Sequence, residues 1–177
     1  MISEAAIRDI AAHTPPPVAT FLLTSLQTAA AIVAQQRRLA PTTLQLVDSV
    51  PLSAYAELRA ALPGIRLVQV VHVTGPESLD DARGLAEHVD ALLLDSGNPK
   101  LAVKELGGTG RRHDWSVSRA IREAVDVPIF LAGGLTPENV ALAITEVGPF
   151  GLDVCSGVRS AGALDEQKLR AFFAAAG

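Results

Sequence analysis

The sequence predicts an α/β fold in which about six parallel strands alternate with helices. Apolar runs of strand length begin at residues 18, 43, 67 and 91, which are 25, 24 and 24 residues apart, and again at 128 and 151, 23 apart. Stretches with helical periodicity fill the intervals. A strand and a helix repeated at a nearly constant spacing indicate one βα unit used many times, and such units build parallel sheets.

Each element has a local signal of its own. Prolines 15–17 end the first helix, Thr24 or Ser25 caps the second, and Pro63-Gly64 turns the chain before the third strand. The strands are predicted at 18–23, 43–47, 67–72, 91–95, 128–132 and 151–155. The helices are predicted at 3–12, 24–38, 52–62, 77–86, 116–124, 136–147 and 165–175.

Composition limits the possible classes of protein. The chain is 49% hydrophobic and carries 15 basic and 19 acidic residues, for a formal net charge of −4. We therefore expect one domain over residues 1–177 and no nucleic-acid face, because the basic residues form no run. The single cysteine excludes an internal disulfide, and the acidic N-terminus MISEAAIRDI has no long apolar core. A cytoplasmic protein without a membrane segment is predicted.

The stretch 126–140, DVPIFLAGGLTPENV, predicts a strand, a glycine turn and the start of a helix. Thr136 is expected to be the N-cap, with Pro137 in the first helical position and Glu138 in an acidic first turn. Gly133 and Gly134 can bring backbone N–H groups close to an anion at a helix start, which favours a phosphate group. The alternative is a plain βα turn in which the glycines serve only the bend.

One long loop interrupts the regular spacing. From 91 to 128 is 37 residues, and the excess lies in 96–113, which contains Gly107, Gly108 and Gly110. Because ligands bind at the carboxyl ends of parallel strands, a long loop there indicates function. A tolerated surface insertion is the alternative.

The ends of two strands carry candidate functional groups. Asp95 closes the buried run ALLLD, where a carboxyl group can border a ligand cavity and act as a general acid, or else cap the next loop. The last strand leads into Ser156 and Gly157, which can supply a second set of phosphate donors. In eight-stranded βα barrels a phosphate commonly sits between the loops after the last two strands.

Three motifs together resemble the carboxyl half of the phosphoribosylanthranilate isomerases, enzymes of tryptophan and hence aromatic amino acid biosynthesis. They are KELGGTGRRHDW at 104–115, FLAGGLTPENV at 130–140 and PFGLDVCSGVR at 149–159. Upstream, LQLVDS at 44–49 and VQVVHV at 68–73 are similar to the family's fourth and fifth strands, and the match implies that Gln45 lines the pocket.

The resemblance implies a TIM-type (βα)8 barrel, incomplete in this chain, and a metal-free, cofactor-free Amadori rearrangement of a phosphorylated sugar-anthranilate substrate. Asp95 matches the general acid of the family, and Asp153 matches an aspartate that contacts the substrate. The residues that match phosphate-binding turns and a glycine-rich loop over the site are Gly133, Gly134, Ser156 and Gly157, and Gly107, Gly108 and Gly110.

The chain also departs from the family pattern. The family's first strand bears a Lys-Ile-Cys-Gly motif that holds the catalytic base, and this motif does not occur in the sequence. Six strands would leave open sheet edges, so we expect a homodimer or higher homo-oligomer that covers them. Two further interpretations stay open: a non-catalytic sugar-phosphate-binding remnant, or a reading frame that begins upstream of Met1. Cys155 is expected to be a small core residue rather than a substitute base.

Overall fold

The computed structural model describes residues 2–97 and 113–177. Its helices are α1 Glu4–His13, α2 Ala29–Leu39, α3 Leu52–Ala61, α4 Ser78–Ala86, α5 Trp115–Ala124, α6 Val140–Val147 and α7 Glu166–Ala176. Its strands are β1 Phe21–Thr24, β2 Thr43–Leu46, β3 Arg66–His72, β4 Ala91–Asp95, β5 Ile129–Leu131, β6 Gly151–Leu152, β7 Arg159–Ser160 and β8 Ala163–Leu164.

Strands β1 to β6 are hydrogen-bonded in the order in which they occur in the chain. The pairs β1–β2, β2–β3, β4–β5 and β5–β6 are parallel. Alternation of these strands with helices confirms the predicted α/β class and the six predicted parallel strands. The chain forms two compact units, residues 1–69 with 88–90 and residues 70–87 with 91–177.

The first unit contains β1, β2 and the beginning of β3. Thr43 of β2 is level with Phe21 of β1 and with Arg66 of β3, so the register continues across all three strands. Helices α1, α2 and α3 pack in sequence, each against the next. The core of this unit consists of fully buried aliphatic side chains and one aromatic side chain: Ile32, Leu39, Leu44, Leu46, Tyr55, Leu58 and Leu67.

Asp90 is the main polar link of the first unit. Its carboxylate accepts hydrogen bonds from Arg59 Nη1 at 2.7 Å, from Arg66 Nη1 at 3.0 Å and from the Leu67 N–H at 2.8 Å. Burial alone would raise the pKa of Asp90, but these three donors together lower it. The bonds fix the start of β3 to residue 90. Nearby, His88 stacks on Tyr55 with ring centroids 5.5 Å apart.

The second unit contains β4, β5 and β6, with α4, α5, α6 and α7 packed in sequence. Two of these helices begin at a capping aspartate: Asp114 accepts from the Ser116 N–H, and Asp165 accepts from the N–H groups of Gln167 and Lys168. Helix α6 ends at Gly148, which adopts the left-handed conformation typical of a C-cap. The core here includes Leu92, Leu94, Ile121, Leu131 and Val140.

Several details differ from the predicted elements. Helix α2 begins at Ala29 with Thr28 as its N-cap, so the prediction of a cap at Thr24 or Ser25 is wrong; Thr24 is instead the last residue of β1. Strand β1 begins at Phe21 rather than 18, and β6 covers only Gly151–Leu152 rather than 151–155. After β6 the chain forms a 3-10 turn, Ser156–Val158, and a short antiparallel hairpin of β7 and β8 that the apolar pattern did not predict. Cys155 precedes this turn and is exposed, so its prediction as a core residue is wrong.

Candidate active site

Two carboxyl groups lie level with each other at the ends of β4 and β6. Leu131 of β5 is in register with Leu94 and with Leu152, and the ladder continues through the bonds Ala132 N–H to Leu94 O and Asp153 N–H to Leu131 O, both 2.8 Å. Asp95, Ala132 and Asp153 are therefore the next row of residues. Strand spacing places the backbones of the two aspartates about 10 Å apart. The small side chain of Ala132 leaves space between them.

Asp95 is held in place at the carboxyl end of β4. The residue is only 8% exposed, and its Oδ1 accepts a hydrogen bond from the Ser96 N–H at 2.7 Å. This bond resembles the capping role considered from sequence. It occupies one carboxylate oxygen and leaves the second available for a reacting group.

The carboxyl group of Asp153 has a raised pKa. Solvent reaches the residue, yet surrounding protein atoms partly desolvate its carboxyl group and raise its pKa, and the nearby charge of Asp95 raises that pKa further. Asp153 therefore retains its proton to a higher pH than an isolated aspartate does. A protonated carboxyl group can donate a hydrogen bond to a sugar hydroxyl as well as accept one.

The first glycine turn follows β5. Gly133 and Gly134 have φ angles of 84° and 67°, in the left-handed region that favours glycine. A Cβ on Gly133 would lie 3.1 Å from His113 Nδ1 and from both Ser96 N and Ser96 Oγ, so this turn also packs tightly against the chain that follows β4. Gly133 thus serves packing as well as the bend.

Asn139 fixes the exit of this turn. Its Oδ1 accepts from the Thr136 N–H at 2.9 Å, and its Nδ2 donates to the Gly134 carbonyl oxygen at 2.9 Å. Helix α6 consequently begins at Val140, with Asn139 as N-cap, and Pro137 and Glu138 lie in the turn that precedes it. The prediction of Thr136 as N-cap is wrong because the chain first makes a hydrogen-bonded turn, in which the Asn139 and Val140 N–H groups bond to the Thr136 carbonyl oxygen, and α6 begins only after that turn.

The second small-residue turn lies directly against the first. A Cβ added to Gly157 would overlap the carbonyl oxygen of Leu135 and approach Thr136 Cα to 3.2 Å. Only a residue without a side chain allows the two backbones this close. The loops after β5 and β6 are therefore side by side.

A cavity of about 280 Å³ lies between the two turns. Its lining combines backbone of small residues with two charged side chains: Gly134, Thr136, Pro137, Glu138, Ser156, Gly157 and Lys168. Four of the residues predicted from sequence to bind phosphate are Gly133, Gly134, Ser156 and Gly157, and three of them line this cavity. Gly107, Gly108 and Gly110 lie outside the described residues.

Sequence reasoning missed three residues that shape the site. Lys168 on α7 lines the cavity, Asn139 fixes the glycine turn, and the buried His113 hydrogen-bonds Ser118 with Nε2 and Oγ 2.6 Å apart. An Asn before a helical pattern is a capping signal, and this signal could have identified Asn139. No local sequence pattern related Lys168 to the glycine turn at Gly133 and Gly134. Gln45, which the sequence comparison implied to line the pocket, is buried on β2 of the first unit.

The described part of the chain lacks both a metal-binding cluster and a membrane-spanning helix. Residues 2–97 and 113–177 contain no cluster of three or more His, Cys, Asp or Glu side chains arranged to hold a metal ion. Within the same ranges, none of the helices combines the length and apolar character needed to cross a membrane.

Parallel strands alternating with helices, with acidic groups and glycine turns after consecutive strands, define an α/β protein whose candidate site lies at the carboxyl edge of its sheet. The family model described as N-(5'phosphoribosyl)anthranilate (PRA) isomerase matches residues 8–175. The chain belongs to this family.

Individual relatives agree with that assignment. The chain is 41% identical over 170 residues to N-(5'-phosphoribosyl)anthranilate isomerase of Haloferax volcanii, covering 96% of this chain and 73% of the relative. A solved phosphoribosyl anthranilate isomerase in complex with reduced 1-(o-carboxyphenylamino)-1-deoxyribulose 5-phosphate superposes with a TM-score of 0.79 at 26% identity, covering 99% of this chain and 79% of that one.

A third relative concerns assembly. The structure of monomers generated from the dimeric phosphoribosylanthranilate isomerase of Thermotoga maritima superposes with a TM-score of 0.79 at 25% identity, again covering 99% of this chain and 79% of that one. Together these likenesses confirm the predicted family and the TIM-barrel type of fold.

Proposed function

We propose that this chain catalyses the Amadori rearrangement of N-(5'-phosphoribosyl)anthranilate to 1-(o-carboxyphenylamino)-1-deoxyribulose 5-phosphate in tryptophan biosynthesis. The observation that carries the proposal is the contact between the turns at Gly134 and Gly157, which forms a cavity after β5 and β6. Asp95 is the last residue of β4 and Asp153 follows β6, so both lie at the carboxyl ends of these strands. The name of the Haloferax volcanii relative and the ligand of the solved complex support the choice of substrate.

The phosphate group of the substrate binds between the two turns in this proposal. Backbone N–H groups at the first residues of a helical turn have no acceptor within that turn, and Ser156 and Gly157 begin such a turn. The two neighbouring glycines after β5 allow a close approach from the other side. Binding at this end leaves the ribose to extend toward the row of Asp95, Ala132 and Asp153.

Asp95 acts as the general acid. It donates its proton to the ribose ring oxygen, the bond between C1 and that oxygen breaks, and the nitrogen lone pair forms a C=N bond at C1. Removal of the proton from C2 then gives an enolamine, which becomes the ketose after the proton is redistributed. These steps move only protons and the electron pairs of the substrate, so the proposed reaction needs no metal or cofactor.

Asp153 has a binding role. Its raised pKa keeps a hydrogen-bond donor available over a wider pH range, which suits contact with a ribose hydroxyl. The C2 proton must pass to a base, and the Lys-Ile-Cys-Gly motif that holds this base in the family does not occur in residues 1–177. Turnover by the wild-type chain would show that another group accepts that proton.

The experiment is a turnover assay that follows the loss of anthranilate-adduct fluorescence. We expect turnover by the wild-type chain and a fall in kcat of about 10² to 10⁴-fold in D95N, because general acid catalysis contributes that much. D126N is the control, since Asp126 is an exposed residue before β5, at the opposite end of the strand from the site.

The outcome that rejects the proposal is equally specific. Absence of wild-type turnover together with intact binding of inorganic phosphate would identify the chain as a non-catalytic sugar-phosphate-binding protein. Equal kcat values for D95N and wild type would remove Asp95 from the mechanism while leaving the reaction in place.

We propose a homodimer or higher homo-oligomer in which a second copy covers β1. Among the described residues β1 has one strand neighbour, β2, and it exposes 41% of Phe21 and 60% of Leu23. An exposed apolar edge strand pairs readily with another chain. Light scattering on wild type and L23K tests this: a dimer that becomes a monomer in L23K supports it, and a monomeric wild type refutes it.

Residues 1–177 are proposed to act as one domain, since the family model spans parts of both compact units. The acidic composition and single cysteine support a cytoplasmic location.

A further inference from the structure

We infer that Lys168 is a phosphate-binding residue of the cavity and that Glu138 opposes it, so that these two side chains set the affinity for the phosphate anion. The inference rests on the proposed function, which places the substrate phosphate between the turns at Gly134 and Gly157. It adds two side chains from outside those turns, one on α7 and one before α6.

Lys168 is fixed at the cavity by its place on α7. The capping carboxylate of Asp165 accepts from the Lys168 N–H at 3.1 Å, and the Lys168 Nζ donates to the Arg159 carbonyl oxygen at 3.0 Å. The side chain thus crosses from the first turn of α7 to β7. Both the backbone N–H and the ammonium group are held, and Lys168 lines the same cavity as Ser156 and Gly157.

The chemistry of the ammonium group suits a phosphate. It carries three N–H donors, and the bond to Arg159 uses one of them. A phosphate monoester carries between one and two negative charges near neutral pH, and lysine is a common point-charge partner for it. Among the described residues that line this cavity, Lys168 is the cation.

Glu138 places the opposite charge in the same cavity. The Thr136 hydroxyl and the Glu138 backbone N–H hydrogen-bond its carboxylate and lower its pKa, and the charge of Lys168 adds to the effect. Glu138 is therefore ionised at neutral pH. It repels a bound phosphate and attracts Lys168, so it weakens anion binding in two ways.

The two side chains make opposite predictions for one measurement. Loss of the ammonium group in K168M should raise the dissociation constant for inorganic phosphate about 10-fold, as expected for a hydrogen bond to a charged group. K168R keeps the charge and should retain most of the affinity. Loss of the carboxylate charge in E138Q should lower the dissociation constant about 2- to 5-fold, the size of an exposed charge interaction.

Calorimetric titration of the full chain with inorganic phosphate is the experiment. R170M and E146Q are matched controls, because Arg170 and Glu146 are exposed on α7 and α6 and line other cavities. We expect both controls to bind phosphate as wild type does. In the turnover assay K168M should raise KM with kcat nearly unchanged, since it removes binding common to the ground and transition states.

A purely structural role for Lys168 gives a different result. If the bond to Arg159 only ties α7 to β7, K168M lowers the melting temperature and leaves phosphate affinity unchanged, which overturns the inference. E138Q keeps the test decisive should K168M not fold: unchanged or weaker phosphate binding in E138Q also overturns it.

The binding measurement needs no turnover, so the two proposals fail separately. An inactive wild type with the expected K168M and E138Q shifts rejects only the isomerase activity. An active wild type with phosphate affinity independent of Lys168 and Glu138 rejects only this inference.

Discussion

Substitution of Gly157 by alanine tests whether the two turns must touch. The added Cβ would overlap the Leu135 carbonyl oxygen and lie 2.9 Å from Leu135 C and 3.2 Å from Thr136 Cα. All three atoms belong to backbone, so no rotamer change relieves the overlap, and one loop must move by roughly 1 Å.

The expected cost has two parts. Overpacking of this kind destabilises a protein by about 1 to 3 kcal/mol, which lowers the melting temperature of a domain this size by about 2 to 12 °C. Displacement of a binding loop by about 1 Å can also reduce catalytic efficiency by about 100-fold. We therefore expect G157A to be less stable and to bind phosphate and substrate more weakly.

Gly84 provides a control with the opposite sign. It lies inside α4, and a Cβ there would meet nothing within 4 Å. Replacing a glycine in a helix interior with alanine stabilises by about 0.5 to 1 kcal/mol. Urea denaturation of G157A, G84A and wild type, with phosphate titration of each, makes the comparison. Wild-type stability and phosphate affinity in G157A would refute the reasoning.

Three other substitutions test the remaining links. Because the pKa of Asp153 is raised, the folded protein binds this proton more tightly than the unfolded chain does and loses stability as pH rises through that pKa. D153N should remove this loss, so its melting temperature relative to wild type should increase from pH 4 to pH 8, and an unchanged difference would contradict the raised pKa of Asp153. Because the pKa of Asp90 is lowered, its contribution is present near neutral pH and lost on acidification. D90N should cost about 1 to 3 kcal/mol at pH 7, whereas D80N, at an exposed pair 3.6 Å from Arg83, should cost close to nothing in the same denaturation series. N139A removes the bonds to Thr136 and Gly134 and should cost about 1 to 2 kcal/mol and weaken phosphate binding, while wild-type affinity would show that the turn holds its shape without Asn139.

Much of the candidate site was predictable because its residues lie at the ends of apolar runs. The run ALLLD identifies Asp95 as the end of a buried strand, and FLAGG identifies a turn after the next one. In parallel sheets these ends share an edge, so strand order alone predicts that the groups are neighbours. The register of β4, β5 and β6 places Asp95, Ala132 and Asp153 in one row, which agrees with that prediction.

Other features depend on where a helix begins or a strand ends. Thr136 has every local property of an N-cap, yet Asn139 holds its N–H and helix α6 starts at Val140. Cysteine is a residue type typical of protein cores. However, β6 ends at Leu152, and Cys155, which lies beyond that strand end, is exposed. Local propensities for neighbouring start or end positions are nearly equal, so the sequence alone does not decide at which residue a helix begins or a strand ends.

The sequence by itself determined the alternation of strands and helices, the family, and the strands that lead into the carboxylates and glycine turns of the site, because periodicity, glycine pairs and carboxylates after apolar runs are local properties of the chain. Only the tertiary structure decided that Gly157 touches Leu135, that desolvation and the charge of Asp95 raise the pKa of Asp153, and that Lys168 and Glu138 line one cavity. These depend on distances of a few ångströms between residues far apart in the chain, and no local pattern encodes them.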